Sequence, residues 1–132
     1  MKIILDTNIM VSALLSPRGL PAKILNLALN GNIKLIYDNN ILSEYIDVLG
    51  RENLKINQDL VKIIIDFIEK DCEYKIAIPQ NKTFEDEDDK IFYDLLKSGD
   101  IDYLITGNIK HFPKEKYIVT AREFINNEYN NI

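Results

Sequence analysis

The sequence predicts an α/β fold, specifically a three-layer α/β/α sandwich around a mainly parallel sheet. Three observations predict it: apolar runs alternate with segments of helical periodicity, the length is 132 residues, and hydrophobic and charged residues make up 46% and 28% of the chain. Strands separated by helical segments of about ten residues or more need crossover connections, which favour parallel pairing. We therefore expect one domain over residues 1–132.

The first predicted element is a buried strand at residues 2–5, an Ile-rich run that stops abruptly at the polar residues 6–8. A segment bounded by prolines, residues 17–21, then interrupts the chain. Residues 22–30 follow with apolar side chains spaced for one helical face, which predicts a helix that ends at Gly31.

The middle of the chain repeats this pattern of strand followed by helix. Residues 33–37 predict a second strand. Asn39 is suited to cap a helix over residues 39–49, which Gly50 ends. Residues 58–70 form a third, strongly periodic helical pattern.

The second half of the chain predicts three further strands and two helices. The strands are expected at residues 74–78, 103–106 and 117–120, and the helices at residues 86–97 and from about residue 121. We expect the C-terminal residues 126–132 to fray, because chain ends are poorly ordered unless something ties them down.

The net charge of −5 argues against general electrostatic attraction to nucleic acid. The excess is local, since residues 85–89 are five consecutive acids, and without them sixteen acidic residues would balance sixteen basic ones. Acids in the first turn of a helix complement its dipole and need no ligand, which is our interpretation of Glu85, Glu87 and Asp88. A nucleic-acid partner would therefore need a local source of positive charge.

Several other classes are excluded by simple patterns. The apolar stretches fall short of the roughly 20 residues that a membrane crossing needs. Asp6 interrupts the N-terminal apolar run before a signal peptide could develop, so we expect a cytoplasmic protein. Cys72 is the only cysteine, which excludes a disulfide framework or a cysteine-rich zinc site and indicates a reducing compartment.

Acidic side chains are expected to gather at one edge of the predicted sheet. In an open parallel sheet, sites form at the carboxyl ends of the strands. Four residues fall there: Asp6 after the first strand, Glu44 about one turn into the helix that follows the second strand, and Asp86 and Asp89 in the first turn of the helix before the fourth strand. Clustered carboxylates need protons or cations to offset their repulsion.

These oxygen donors favour the hard ions Mg²⁺ and Mn²⁺ over zinc. Such ions bind phosphate oxygens and lower the pKa of an attacking water, which suits phosphodiester hydrolysis. The metal would supply the positive charge that the composition lacks.

Four segments together resemble the PIN-domain family, in the branch of toxin components related to VapC-type toxins. They are LDTN at 5–8, ILSEY at 41–45, DEDDKIFYD at 86–94 and DYLITGNIKHFP at 102–113. The resemblance spans the chain in order. It implies a metal-dependent ribonuclease that leaves 5′-phosphate and 3′-hydroxyl ends, with an acidic Mg²⁺ or Mn²⁺ centre, a homodimer, and a co-encoded antitoxin that holds it inactive.

The resemblance assigns roles residue by residue. Asp6, Glu44 and Asp89 match the three principal acids, and Asp86 matches an additional acid common in this branch. Asn8 resembles the polar residue that supports the first acid.

The segment after the fourth strand both supports and departs from the family pattern. Thr106 could place a hydroxyl at the edge of the site. Asn108 stands where many PIN domains carry Asp, so it offers an oxygen but no charge, and the count of one or two metals stays open.

The remaining polar residues have less specific readings. Asp102 opens the fourth strand and is expected at the opposite end of the sheet, and His111 fits a loop anchor better than a proton donor. The basic residues that could hold an RNA backbone are Arg18, Lys23, Lys110 and Lys114.

Two other functions stay open at this point. A catalytically weak PIN scaffold could bind an antitoxin or RNA, because the fourth acid is missing. A phosphoryl-accepting receiver domain shares the layout, but its pocket needs an acid pair after the first strand, and Asp6 is followed by Thr7 and Asn8.

Overall fold

The structure, a computed structural model, describes residues 1–129. Five parallel strands form one sheet in the order β3-β2-β1-β4-β5. The strands are β1 Lys2–Leu5, β2 Lys34–Tyr37, β3 Glu73–Tyr74, β4 Tyr103–Ile105 and β5 Ile118–Val119. The helices that flank the sheet are α1 Thr7–Leu15, α2 Leu20–Leu29, α3 Asn39–Leu49, α4 Gln58–Asp71, α5 Glu87–Leu96 and α6 Ala121–Glu128. The predicted α/β class with a mainly parallel sheet is confirmed.

The central strand β1 organises the core. Ile3, Ile4 and Leu5 are fully buried, as expected for a strand covered on both faces. Its neighbours are β2 on one side and β4 on the other. After β1 the chain moves towards β2, whereas after β4 it moves towards β5, so the two connections diverge above the carboxyl ends of β1 and β4. This divergence is where open parallel sheets form binding crevices.

Helix α1 was not predicted, and the polar loop expected at residues 6–8 is wrong. Strand β1 passes directly into α1, with Asp6 as the N-cap residue and Thr7 as the first helical residue. The helix carries apolar residues on most of its surface, and three of them, Ile9, Met10 and Ala13, are buried. Such a sequence lacks the continuous polar face by which an amphipathic helix is recognised, although Ser12 and Leu15 are exposed.

Two further boundaries differ from the prediction. The cap of α3 is Asp38 rather than Asn39, since the Asp38 carboxylate accepts a hydrogen bond from the Ile41 backbone N–H at 2.8 Å. The strand predicted at residues 74–78 covers only Glu73–Tyr74. Its partner β2 ends at Tyr37, where α3 begins, so residues beyond Lys75 find no ladder to join.

The other predicted elements are present, with ends shifted by one or two residues. Of the segment expected to fray, residues 126–128 belong to α6, which begins with a reciprocal capping box between Thr120 and Glu123. Residues 130–132 lie outside the described part of the chain. Among the described helices, none combines the length and the apolar character needed to cross a bilayer.

Candidate active site at the carboxyl edge of the sheet

Asp6 lies at the carboxyl end of β1 and is the most buried acid of the site, with 4% of its surface exposed. Its carboxylate accepts a hydrogen bond from the Thr106 hydroxyl at 2.6 Å and a longer one from the Asn8 amide at 3.4 Å. The Asp6 backbone N–H donates to the carbonyl of Ile105, the last residue of β4. The carboxylate is therefore held by the neighbouring strand and by the first turn of α1.

The loop after β4 is tied to the same position. The backbone N–H of Asn108 donates to the Thr106 hydroxyl at 2.9 Å, and that of Gly107 donates to the Asn8 side-chain oxygen at 2.9 Å. A Cβ atom at Gly107 would lie 3.2 Å from that oxygen, so the close approach favours glycine. Thr106 and Asn8, both predicted as supporting residues, thus orient Asp6 and the loop together.

Glu44 lies on α3, and the residue after it, Tyr45, anchors this helix to β1. Tyr45 is buried and its hydroxyl donates to the carbonyl oxygen of Leu5, directly before Asp6. Glu44 itself is half-buried and faces the same cleft as Asp6. The Asp38 cap and the Tyr45 hydroxyl therefore fix the helix that presents Glu44.

Asp86 and Asp89 lie at the start of α5. Asp86 is the N-cap residue and accepts from the Asp88 backbone N–H at 2.9 Å. Asp89 is buried, and one of its oxygens lies 3.2 Å from the His111 Nδ1 atom. This contact ties the loop after β4 to α5, which agrees with the expected loop-anchor role, and it joins residues 22 positions apart, so the sequence pattern did not indicate the partner.

One cleft of about 380 Å³ gathers the predicted acids. Its polar wall includes Asn8, Asn108 and five carboxylates, those of Asp6, Glu44, Asp86, Asp88 and Asp89. Thr106 lies behind Asp6 and is fully buried. Asp88, whose expected role is to complement the helix dipole, also lines this cleft. Asp102 lies at the opposite end of the sheet, where its carboxylate accepts from the Lys2 backbone N–H.

The electrostatics of the cleft favour a bound proton or cation. Burial, and to a smaller extent the charge of Asp89, raise the pKa of Asp6 to about 6 against the opposing effect of the hydrogen bond from Thr106. Burial also raises the pKa of Asp89, reinforced by Asp86 and opposed by His111. For Glu44, burial and the charge of Asp88 raise the pKa, while Arg51 lowers it. A divalent cation would relieve these repulsions.

The donor chemistry of the cleft fits Mg²⁺ or Mn²⁺, because carboxylate and amide oxygens are the ligands that hard cations take. Within residues 1–129, no three His, Cys, Asp or Glu side chains converge closely enough to enclose a metal ion directly. Mg²⁺ usually takes one or two carboxylates and retains several waters. The cleft therefore fits an ion that is bound partly through water, and it does not form a closed protein cage.

The basic residues predicted to contact RNA are exposed but do not line this cleft. They are Arg18, Lys23, Lys110 and Lys114. Lys110 borders an adjoining cavity with Lys82 and His111, which shares Asp86 and Asp89 with the cleft.

The cation that does line the cleft, among the described residues, is Arg51, which sequence reasoning missed. A signal was present, since Glu44, Val48 and Arg51 are spaced four and three residues apart, as on one helical face.

The sheet is all-parallel, and carboxylates line the crevice where the connections after β1 and β4 diverge. These features define an α/β protein with an acidic site at the carboxyl edge of its sheet. The PIN-domain profile matches residues 2–110 of the chain. The protein therefore belongs to the PIN-domain family, whose members are generally nucleases and bind nucleic acid. Comparison with curated proteins and with solved structures found no match.

Proposed function

We propose that this protein is an endoribonuclease that depends on Mg²⁺ or Mn²⁺. The observation that carries the proposal is the convergence of Asp6, Glu44, Asp86 and Asp89, from three separate segments, on one cleft at the carboxyl edge of the sheet. Membership of the PIN-domain family supports nuclease chemistry independently of this geometry.

In this proposal Asp6, Glu44 and Asp89 hold the cation, and Asp86 assists. The bound cation supplies Lewis acidity and charge neutralisation at a phosphodiester. Thr106 and Asn8 keep the Asp6 carboxylate pointed into the cleft, through the hydrogen bonds described above. Asn108 offers a neutral oxygen at the same wall, so it orients a ligand without adding repulsion.

The reaction is hydrolysis: water adds to phosphorus, the bond to the 3′-oxygen breaks, and the departing oxygen takes up a proton. The products carry 5′-phosphate and 3′-hydroxyl ends. These ends distinguish the proposed reaction from metal-independent ribonuclease chemistry, in which the 2′-hydroxyl attacks and a cyclic phosphate forms.

The direct test is cleavage of a labelled RNA by purified protein with Mn²⁺. Both a chelator and Asp6→Asn should abolish cutting, because each removes cation binding at the centre of the cleft. Asp102→Asn is the matched control, since it changes an aspartate at the opposite end of the sheet and should retain activity. Cutting that survives both chelation and Asp6→Asn would overturn the proposal.

The biological role that we propose is that of a cytoplasmic toxin in a toxin–antitoxin pair, acting as a homodimer and restrained by a co-encoded antitoxin. The support is the similarity of the four motif segments to the VapC-related branch. A short neighbouring gene for a DNA-binding protein is the expected genomic context, and co-purification of its product with this chain would test the pairing.

A weakly catalytic scaffold that binds an antitoxin or RNA is the second candidate. Asn108 in place of the fourth acid favours it, together with the net charge of −5. RNA binding without cleavage at any Mn²⁺ concentration would select this alternative.

A further inference from the structure

The proposed metal chemistry does not use the whole lining of the cleft. Beside the carboxylates, the cleft is lined by one arginine and by apolar side chains from three helices and a short turn. The residues are Val11 of α1, Val48 at the end of α3, Arg51 and Leu54 in the turn that follows, and Phe92 of α5. Val11, Val48 and Leu54 are each half-buried, so they keep apolar surface available to a ligand.

Arg51 is held firmly through its backbone. Its N–H donates to the Val48 carbonyl, and its own carbonyl accepts from the Leu54 N–H, both at 3.2 Å. It precedes a short 3₁₀ turn at Glu52–Leu54. These bonds fix where the Arg51 side chain leaves the backbone and hold Leu54 beside it.

The Arg51 guanidinium is only partly used within the described chain. One of its terminal nitrogens donates to the Asp47 carboxylate at 3.0 Å, in an ion pair whose side chains are 54% and 69% exposed. Exposed pairs of this kind contribute little to stability. A guanidinium has five N–H donors, so others are available to bind a phosphate in the fork geometry that arginine favours.

We infer that this part of the cleft is a nucleotide subsite, in which Arg51 binds a backbone phosphate next to the scissile one and the apolar side chains of Val11, Val48 and Leu54 pack against the base. A nucleotide presents a phosphate and an apolar ring face, which is the combination that this part of the cleft complements. The inference rests on the proposed nuclease function and assigns the binding of the substrate to residues outside the metal centre.

The distribution of charge in the cleft favours Arg51 as the residue that binds the phosphate. The five carboxylates of the cleft repel a polyanion, whereas Arg51 is the cation among the described residues that line it. Arg18, Lys23, Lys110 and Lys114 lie outside this part of the cleft, so they can attract RNA but cannot replace Arg51 in the subsite.

The test measures binding of adenosine 5′-monophosphate to the metal-free protein in a chelator, by amide chemical shifts of the ¹⁵N-labelled chain. Adenosine and inorganic phosphate are titrated separately. We expect the nucleotide to shift amides within residues 48–54 and to bind more tightly than either fragment. Arg51→Gln should weaken nucleotide binding about tenfold, the size expected for losing a charge-assisted contact.

Two variants serve as controls. Lys116→Gln removes a positive charge beside Met1 and Asp102, at the far end of the sheet, and should leave the affinity unchanged. Asp47→Asn releases the guanidinium from its ion pair and should not weaken binding. The amide spectrum itself reports whether each variant is folded.

Two results would overturn the inference: equal nucleotide affinity of Arg51→Gln and the parent protein, or shifts that map away from residues 48–54. Either would assign Arg51 to its ion pair with Asp47 alone. Because no metal is present, these outcomes are separable from a failure of Mn²⁺-dependent cleavage, which would remove the proposed nuclease function instead.

Discussion

At the scale of single residues, the site depends on how Asp6 is held. The Thr106 hydroxyl donates to its carboxylate and accepts from the Asn108 N–H, so one buried hydroxyl joins the acid to the loop that borders the cleft. The Asp6 carboxylate is nearly inaccessible to water, which raises its pKa to about 6. Its negative charge is therefore unfavourable in the metal-free fold and becomes favourable when a cation is bound.

The raised pKa predicts how stability depends on pH in the metal-free protein. The folded state binds the Asp6 proton more tightly than the unfolded state, so the stabilisation is complete below pH 4 and is lost as pH rises through about 6. The shift from 3.8 to about 6 corresponds to about 3 kcal/mol. Asp6→Asn removes this loss of stability at higher pH. The free energy of unfolding of the variant, relative to that of the parent protein, should therefore increase by about that amount between pH 4 and pH 7.

Urea denaturation of both proteins in a chelator, across this pH range, measures the difference. Contributions from most other titrating groups cancel in the comparison, because both proteins carry them. A difference in the free energy of unfolding that stays constant with pH would show that Asp6 titrates normally.

At the scale of elements, the starts of α1 and α5 lie at the site, whereas the start of α3 borders a separate cavity. Asp6 and Asp86 are N-cap residues of α1 and α5, and both line the cleft. Asp38 is the N-cap residue of α3, and its buried carboxylate accepts from the Ile41 N–H. Aspartate therefore serves both as a helix cap and as an acid of the cleft, and the sequence pattern does not distinguish the two roles.

Removing the Asp38 cap should destabilise α3. Asp38→Ala leaves the buried Ile41 N–H without its partner, and we expect the free energy of unfolding to fall by about 1–2 kcal/mol. Asp38→Asn is the matched variant, because asparagine caps helices about as well as aspartate. Chemical denaturation at pH 7 compares the three proteins, and equal losses in both variants would mean that the charge matters and the cap does not.

The elements that could be predicted are those in which the pattern of apolar and polar residues matches the faces that are buried and exposed in the fold. Helix α4 shows clear periodicity because it packs with one face, leaving Ile63 exposed and Ile64 buried. Helix α1 could not be predicted in this way, because apolar residues such as Leu15 occupy its exposed side as well as its buried one. Strand β3 is short because its partner ends, which is a property of another segment of the chain.

The same distinction holds for the site. Asp6, Glu44, Asp86 and Asp89 were predictable because the ends of parallel strands and the starts of the following helices share one edge of the sheet. The position of Arg51 follows the helical spacing of Glu44 and Val48, whereas the contact between His111 and Asp89 depends on how a loop packs on that edge. Sequence spacing carries little information about such contacts between distant segments.

At the scale of the whole molecule, the net charge of −5 is concentrated at the place where a polyanionic substrate would bind. A polyanion can bind there only if the cleft acquires positive charge. The pKa values of Asp6, Glu44 and Asp89 are raised, which indicates that too little positive charge lies near these carboxylates. We therefore propose that the cleft is a divalent-cation centre.

The most direct test is titration of Mn²⁺ into the metal-free protein by calorimetry, with Asp6→Asn, Asp89→Asn and Asp102→Asn measured in parallel. We predict one or two sites in the parent protein and in Asp102→Asn, and weakened or absent binding in the two cleft variants. Absence of binding to the parent protein at millimolar Mn²⁺, or equal binding to all four proteins, would contradict the account.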